Sequence, residues 1–192
     1  MDNLKRRDWM KKALAALSAV GLGRLLLSGA EGNQKFSADF GPDWEVQKAY
    51  TLEVAEALPA EKYDFQPAAE MRPFGELLAH ISGSVFFFAA SLRGEEPPAA
   101  AKPPAEATKE NVVAHLQAAF DYAAEAIAAL DDTRANETVS LFGGRLTMPA
   151  AKVCHFMRDH TTHHRAYALP YLRLNGIQPP RYRFAGTRPS PV

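Results

Sequence analysis

The stretch D-H-T-T-H-H-R, residues 159–165, places three of the chain's six histidines within five positions. It lies in a segment over 150–174 whose apolar residues recur at helical spacing. At about 100° per residue, His160 and His164 stand one turn apart on nearly the same line of a helix. Extended in both directions, that line passes through Val153, Met157, Tyr167, Ala168 and Tyr171, so the pair lies on the stripe that should face a core. His163 sits at its flank. Two imidazoles at i and i+4 can hold one transition metal, or they can be ordinary histidines bonded to backbone or water. Two ligands do not complete a site, and the reading turns on whether a third exists.

Working outward, three more segments carry a helical apolar stripe. The first runs over 44–58 behind a capping Asp43, through Val46, Tyr50, Leu52, Val54 and Leu58, and Pro59 stops it. A loop over 59–67 follows. The second begins near 72–74 and continues to about 92, through Phe74, Leu77, Leu78, Ile81, Val85 and Phe88. His80 shares that face. A lone histidine there is more often a satisfied core residue than a ligand, but one imidazole on this helix and two on the last can converge inside a bundle. The third runs from Thr108 to about Leu130, with His115 beside its stripe and facing solvent.

A proline- and alanine-rich crossover over 94–104, with Pro97, Pro98, Pro103 and Pro104, can travel the length of a bundle, so the second and third helices need not be adjacent antiparallel neighbours. Residues 138–148, with Gly143 and Gly144 between β-branched neighbours, read as a small hairpin. Pro149 opens the last helix, and Pro170 is expected to bend or break it. The expected fold is all-α, a four-helix bundle over 42–180 with a long crossover between helices two and three and a hairpin before helix four. A polar tether over 31–41 precedes it, and a loose tail over 181–192 follows.

The chain has 192 residues, 47% hydrophobic and 23% charged, which suits one domain with appendages. Its 22 Lys and Arg balance 22 Asp and Glu, so net charge gives no reason to expect a nucleic-acid partner. Residues 1–30 differ from the rest: a basic head with R-R-D-W-M-K at 6–11, an apolar run over 13–27, and Ser28, Gly29 and Ala30. This resembles a twin-arginine export signal cleaved after Ala30. Such a signal implies the export machinery as a partner and a periplasmic destination. A retained anchor or a basic amphipathic helix on a membrane is the other reading, given Arg24 inside the apolar run. The single cysteine, Cys154, forms no internal disulfide and lies off the histidine line, so it reads as a small buried hydrophobe.

Three words carry a resemblance to the DinB family, in the superfamily that includes YfiT-like metal-dependent hydrolases and mycothiol-dependent maleylpyruvate isomerase. They are L-L-A-H at 77–80, D-H-T-T-H-H-R at 159–165, and Y-L-R-L-N-G-I-Q-P-P-R-Y at 171–182. The resemblance implies a four-helix bundle whose metal ligands fall on His80, His160 and His164, with His163 the adjacent non-ligand. Where the family often has Arg-Gly-Gln after the last histidine, this chain has Arg165, Ala166 and Tyr167.

Three neutral imidazoles leave a divalent ion with open positions, as a catalytic site requires. Zinc or nickel is expected, with iron or manganese as alternatives. The activity implied is a metal-dependent hydrolase or a thiol-dependent transferase or isomerase acting on a small molecule. The alternative is a non-catalytic metal-holding or stress-associated bundle, since no general base is evident. Glu76 and Asp159 could orient imidazoles but read more readily as surface carboxylates, and Tyr167 as an ordinary core aromatic. Apolar bundle faces are compatible with a homodimer.

Overall fold

The computed structural model describes residues 35–184. The proposed signal over 1–30, the first part of the expected tether, 31–34, and the end of the tail, 185–192, lie outside them. Four helices form in chain order: α1 (Lys35–Ala57), α2 (Phe74–Arg93), α3 (Lys109–Ala128) and α4 (Ala150–Leu174). One antiparallel hairpin, β1 (Thr138–Leu141) and β2 (Leu146–Pro149), precedes α4. The all-α bundle with its crossover and hairpin is the expected architecture, except that the crossover does not separate α2 from α3, which pack against each other as close neighbours.

α2 is the central element. Its stripe is so wide that Phe74, Leu78, Ile81, Val85, Phe86 and Phe88 are all buried, together with small Ala79, Ser82, Ala89 and Ala90. Small side chains let neighbouring backbones come close, and α2 packs tightly against both α3 and α4. Although α2 is long and apolar enough to pass for a membrane span, most of it is buried inside the bundle. Its start is closed by the loop over 59–67. The carbonyls of Phe65 and Tyr63 accept from Phe74 N (3.1 Å) and Gly75 N (2.8 Å), two amides that a helix N-terminus leaves without partners. Gly75 is required there, because a Cβ would come within 2.4 Å of the Ala107 carbonyl oxygen where the crossover ends.

The tether expected over 31–41 is corrected over its second half, since α1 already begins at Lys35 and includes Asp43, which is therefore not its cap. Phe36 and Phe40, one turn apart, stack at 5.5 Å, and both rings meet the edge of His155 on α4. Phe36 N donates to Asp132 Oδ1 at 2.9 Å, so a carboxylate beyond the end of α3 caps the start of α1. This long-range anchoring is invisible in a polar local sequence. Pro42 falls within the helix and does not end it.

Two other expectations change. The helix continues through Pro170 to Leu174, so no break occurs there, and buried Tyr171 and Leu172 beyond the proline hold the last turn to the core. The tail is not loose at its start, because Arg183 Nε donates to Glu53 Oε2 of α1 at 2.9 Å and Tyr182 meets Tyr50 edge-on. α3 opens at Thr108 as expected, and that residue caps it, its hydroxyl accepting from Asn111 N at 3.3 Å. The hairpin tip, 142–145, has positive φ at Phe142 (54°), Gly143 (67°) and Gly144 (89°). Glycine takes that conformation freely, but phenylalanine adopts it only at a cost.

On α4, Thr161 is fully buried and its hydroxyl has no hydrogen-bond partner among the described residues. Thr161→Val keeps the shape and removes the orphaned hydroxyl, so stability is expected to rise by about 1 kcal/mol. A urea melt checks this, and a loss of stability would show that the hydroxyl is satisfied after all.

Candidate metal centre

α2 and α4 pack side by side, which brings His80 to the pair that α4 carries. Ring centroids lie 4.5 Å apart for His80 and His164, 4.4 Å for His160 and His164, and 5.4 Å for His80 and His160. One nitrogen from each ring lies within 4.8 Å of the other two, and His80 Nε2 and His164 Nε2 are 3.3 Å apart. Two imidazoles on one ion at bonds of about 2.0–2.1 Å would place their nitrogens about 3 to 3.5 Å apart, so this pair already has the spacing of co-ligands. The donor set fits a borderline divalent metal.

All three rings are half-buried, and burial is the first cause that moves their pKa values below the ordinary imidazole range. Neighbouring imidazoles and the Arg72 guanidinium push the same way, and His164 is lowered to about 4. The neutral ring is the form that binds metal.

The shift has a consequence for the metal-free chain. Between about pH 4 and the ordinary imidazole value of about 6.5, the unfolded chain binds more protons at His164 than the folded one, so stability rises with pH across that window. It is fully present above about 6.5 and lost as pH falls towards 4. Urea midpoints of the metal-free chain are expected to climb from pH 4 to 6.5, with a flatter climb in His164→Gln; an unchanged slope in that variant would remove His164 as the cause.

Around the cluster lies a cleft of about 660 Å³. Its lining includes His80, His160, Arg72, Glu76 and Ser84, the aromatic rings of Phe87, Phe88, Phe142 and Phe156, and Pro103 and Pro104 from the crossover. The crossover is pinned in place by His115, whose Nδ1 is 2.7 Å from Ser82 Oγ on α2 and whose Nε2 is 2.9 Å from the Ala100 carbonyl oxygen. His115 was expected to face solvent. Instead it is a strut, and burial lowers its pKa.

Other candidates behave as ordinary residues. His163 is exposed, with its ring edge-on to Tyr167 and His164. Tyr167 is 51% exposed, so it is not the core aromatic expected. Asp159 accepts from Arg158 at 3.0 Å, and exposed Glu76 has no hydrogen bond to an imidazole among the described residues. Cys154 is fully buried and its thiol is pushed up to about 12, an inert hydrophobe as read.

Sequence reasoning missed Arg165. It is only 3% exposed, yet it follows the last histidine. Its Nη1 donates to Gln47 Oε1 (2.8 Å) and Thr51 Oγ1 (3.1 Å) on α1, and its guanidinium lies 4.4 Å over the Tyr50 ring. Burial lowers its pKa to about 10. The signal was present, since Cys154, Thr161, Arg165 and Leu172 form a second buried line on α4, beside the histidine line. Arg165 thus ties α4 to α1 one residue beyond His164.

Residues 43–168 match the DinB superfamily. The fold is similar to a DinB-like protein from Bacillus cereus ATCC 10987, with a TM-score of 0.63, 17% identity, and coverage of 73% of this chain and 93% of that one. It is equally similar to the DinB-like protein YjoA of Bacillus subtilis, with a TM-score of 0.63, 17% identity, and coverage of 78% and 99%. No curated protein sequence matches. With the sequence match spanning most of the bundle, this chain belongs to the DinB superfamily.

Proposed function

We propose that this chain is an exported metal-binding bundle in which His80, His160 and His164 hold one divalent ion, zinc or nickel before iron or manganese, for hydrolysis of a small molecule bound in the adjoining cleft. The observation that carries the reading is the convergence of three half-buried imidazoles from two helices, two of which, His80 and His160, line a cleft large enough for a ligand. An ion held by three neutral imidazoles keeps open positions and supplies Lewis acidity to a substrate. The chain's own residues do the rest. α2 and α4 fix the rings, Pro103 and Pro104 with the phenylalanines give the cleft an apolar wall, and Glu76 is the one carboxylate in its lining.

Export rests on the R-R-D-W-M-K head and the apolar run behind it. Thiol-dependent transfer is the second catalytic reading, and export weighs against it because an exported protein leaves the cytoplasmic thiol pool. A non-catalytic metal-holding bundle is favoured by one specific observation: Glu76, the one carboxylate in the cleft lining, has no hydrogen bond to an imidazole among the described residues, so no acid–base partner is held against the cluster.

The test compares metal-loaded and chelated protein in turnover against ester, amide and thiol-transfer substrates, with the fold followed by circular dichroism and thermal melting. Turnover that vanishes on chelation with the fold kept supports an enzyme. A fall in Tm on chelation without turnover in either form supports the holding role and ends the catalytic reading.

A further inference from the structure

The cleft beside the histidines is built asymmetrically. Phe87 and Phe142 stack at 5.1 Å with their planes 24° apart, and Phe88 meets Phe156 edge-on at 5.2 Å. Pro103 faces into the same space from the crossover. Phe142 is 44% exposed and sits at the hairpin tip with φ of 54°. An aromatic side chain held in left-handed backbone carries a conformational cost, and its contacts with Phe87 and Phe88 still leave almost half of it in water. Its position is explained if a ligand completes its contacts.

The charges are also specific. Apart from the imidazoles, the lining holds one cation, Arg72, and one anion, Glu76, and among the described residues neither belongs to an ion pair. Arg72 is close enough that its charge is felt at both His80 and His164. The Arg72 and Glu76 side chains are exposed and hydrated, and an uncharged apolar ligand lying over Arg72 would strip water from the guanidinium without giving it a partner, which costs free energy. A carboxylate would offset that cost through two parallel hydrogen bonds. A second negative charge would meet Glu76.

We propose that the cleft binds an aromatic monocarboxylate, its flat body against Phe87, Phe142 and Pro103 and its carboxylate on the Arg72 guanidinium. This rests on the reading of the cleft as the substrate chamber of the metal centre, and it names the substrate class. A volume of about 660 Å³ accommodates a one- or two-ring acid with room for water.

The test uses 2-naphthoate and its uncharged counterpart 2-naphthamide, titrated calorimetrically into the zinc-supplemented full chain and into Arg72→Gln, Phe142→Gly and His164→Ala. The wild type is expected to bind naphthoate at least about tenfold more tightly than naphthamide, as a charge-assisted hydrogen bond provides. Arg72→Gln should abolish that preference and leave naphthamide binding unchanged, while Phe142→Gly should weaken both ligands. Equal binding of the two ligands by the wild type overturns the proposal. A preference that survives Arg72→Gln but disappears in His164→Ala also overturns it, because the metal and not Arg72 would then select the acid. Zinc content measured on the same samples separates this outcome from the parent reading. One zinc per chain without preference for the acid sinks only the substrate class, whereas an Arg72-dependent preference in a chain that binds no zinc supports the substrate class and ends the metal reading.

Discussion

His164→Ala is expected to strip the purified chain of its metal, from about one ion per chain to less than a tenth of that, with the helical content unchanged. The His164 ring lies between the other two, 4.5 Å from His80 and 4.4 Å from His160, so its loss leaves two imidazoles whose centroids are 5.4 Å apart. Two ligands hold a divalent ion far more weakly than three. Burial disfavours the charged form of His164, so the metal-free fold does not depend on it as a cation, and removing a half-buried ring should cost little stability. His163→Ala is the matched control, one residue away, exposed, and expected to keep its metal. Elemental analysis of protein purified without a metal-binding tag decides the matter. Equal metal in wild type, His164→Ala and His163→Ala would place any bound ion elsewhere.

Trp44→Ala should cause the largest loss of stability, about 3–5 kcal/mol. Trp44 is 1% exposed, its Nε1 donates to the Phe120 carbonyl oxygen at 3.2 Å, and its ring lies 5.0 Å from that of Phe120. α1 also meets α3 through two ion pairs, Lys48 with Asp121 and Lys109 with Glu56, which have half-exposed acidic partners. Surface pairs of that kind contribute about 0–1 kcal/mol each, so apolar burial outweighs them, and Trp44 is the largest side chain α1 buries. Typical domains are stable by about 5–15 kcal/mol, and a loss of this size lowers Tm by roughly 6 to 20 °C. Trp44→Phe keeps most of the apolar area and should cost less than half as much. A thermal melt in which both variants behave like wild type would mean that α1 is held by other contacts.

Much of this was readable because helix-forming patterns are local. The stripes that define α2, α3 and α4, the Thr108 cap and the glycines of the hairpin each involve residues a few positions apart, where periodicity and turn chemistry act directly. The convergence of His80 with His160 and His164 needed more, since one turn of helix sets the pair but only the packing of α2 on α4 brings the third ring within reach. The three words shared with the DinB family supplied that link. What failed, failed for one kind of reason. The early start of α1, the strut made by His115, the burial of Arg165 and the anchoring of Arg183 all depend on partners 15 to 130 residues away.

The amino-acid sequence by itself determined the class of fold, the four-helix order with its crossover and hairpin, and the line on α4 that carries two imidazoles, because each follows from side-chain spacing along a regular helix. Only the tertiary structure decided the cleft. Arg72 lies just ahead of α2, Phe87 on it, Phe142 at the hairpin tip and Pro103 in the crossover, and no local pattern relates them. They share a surface because helices pack by long-range burial, and the chemistry that surface can recognise exists only once that packing is complete.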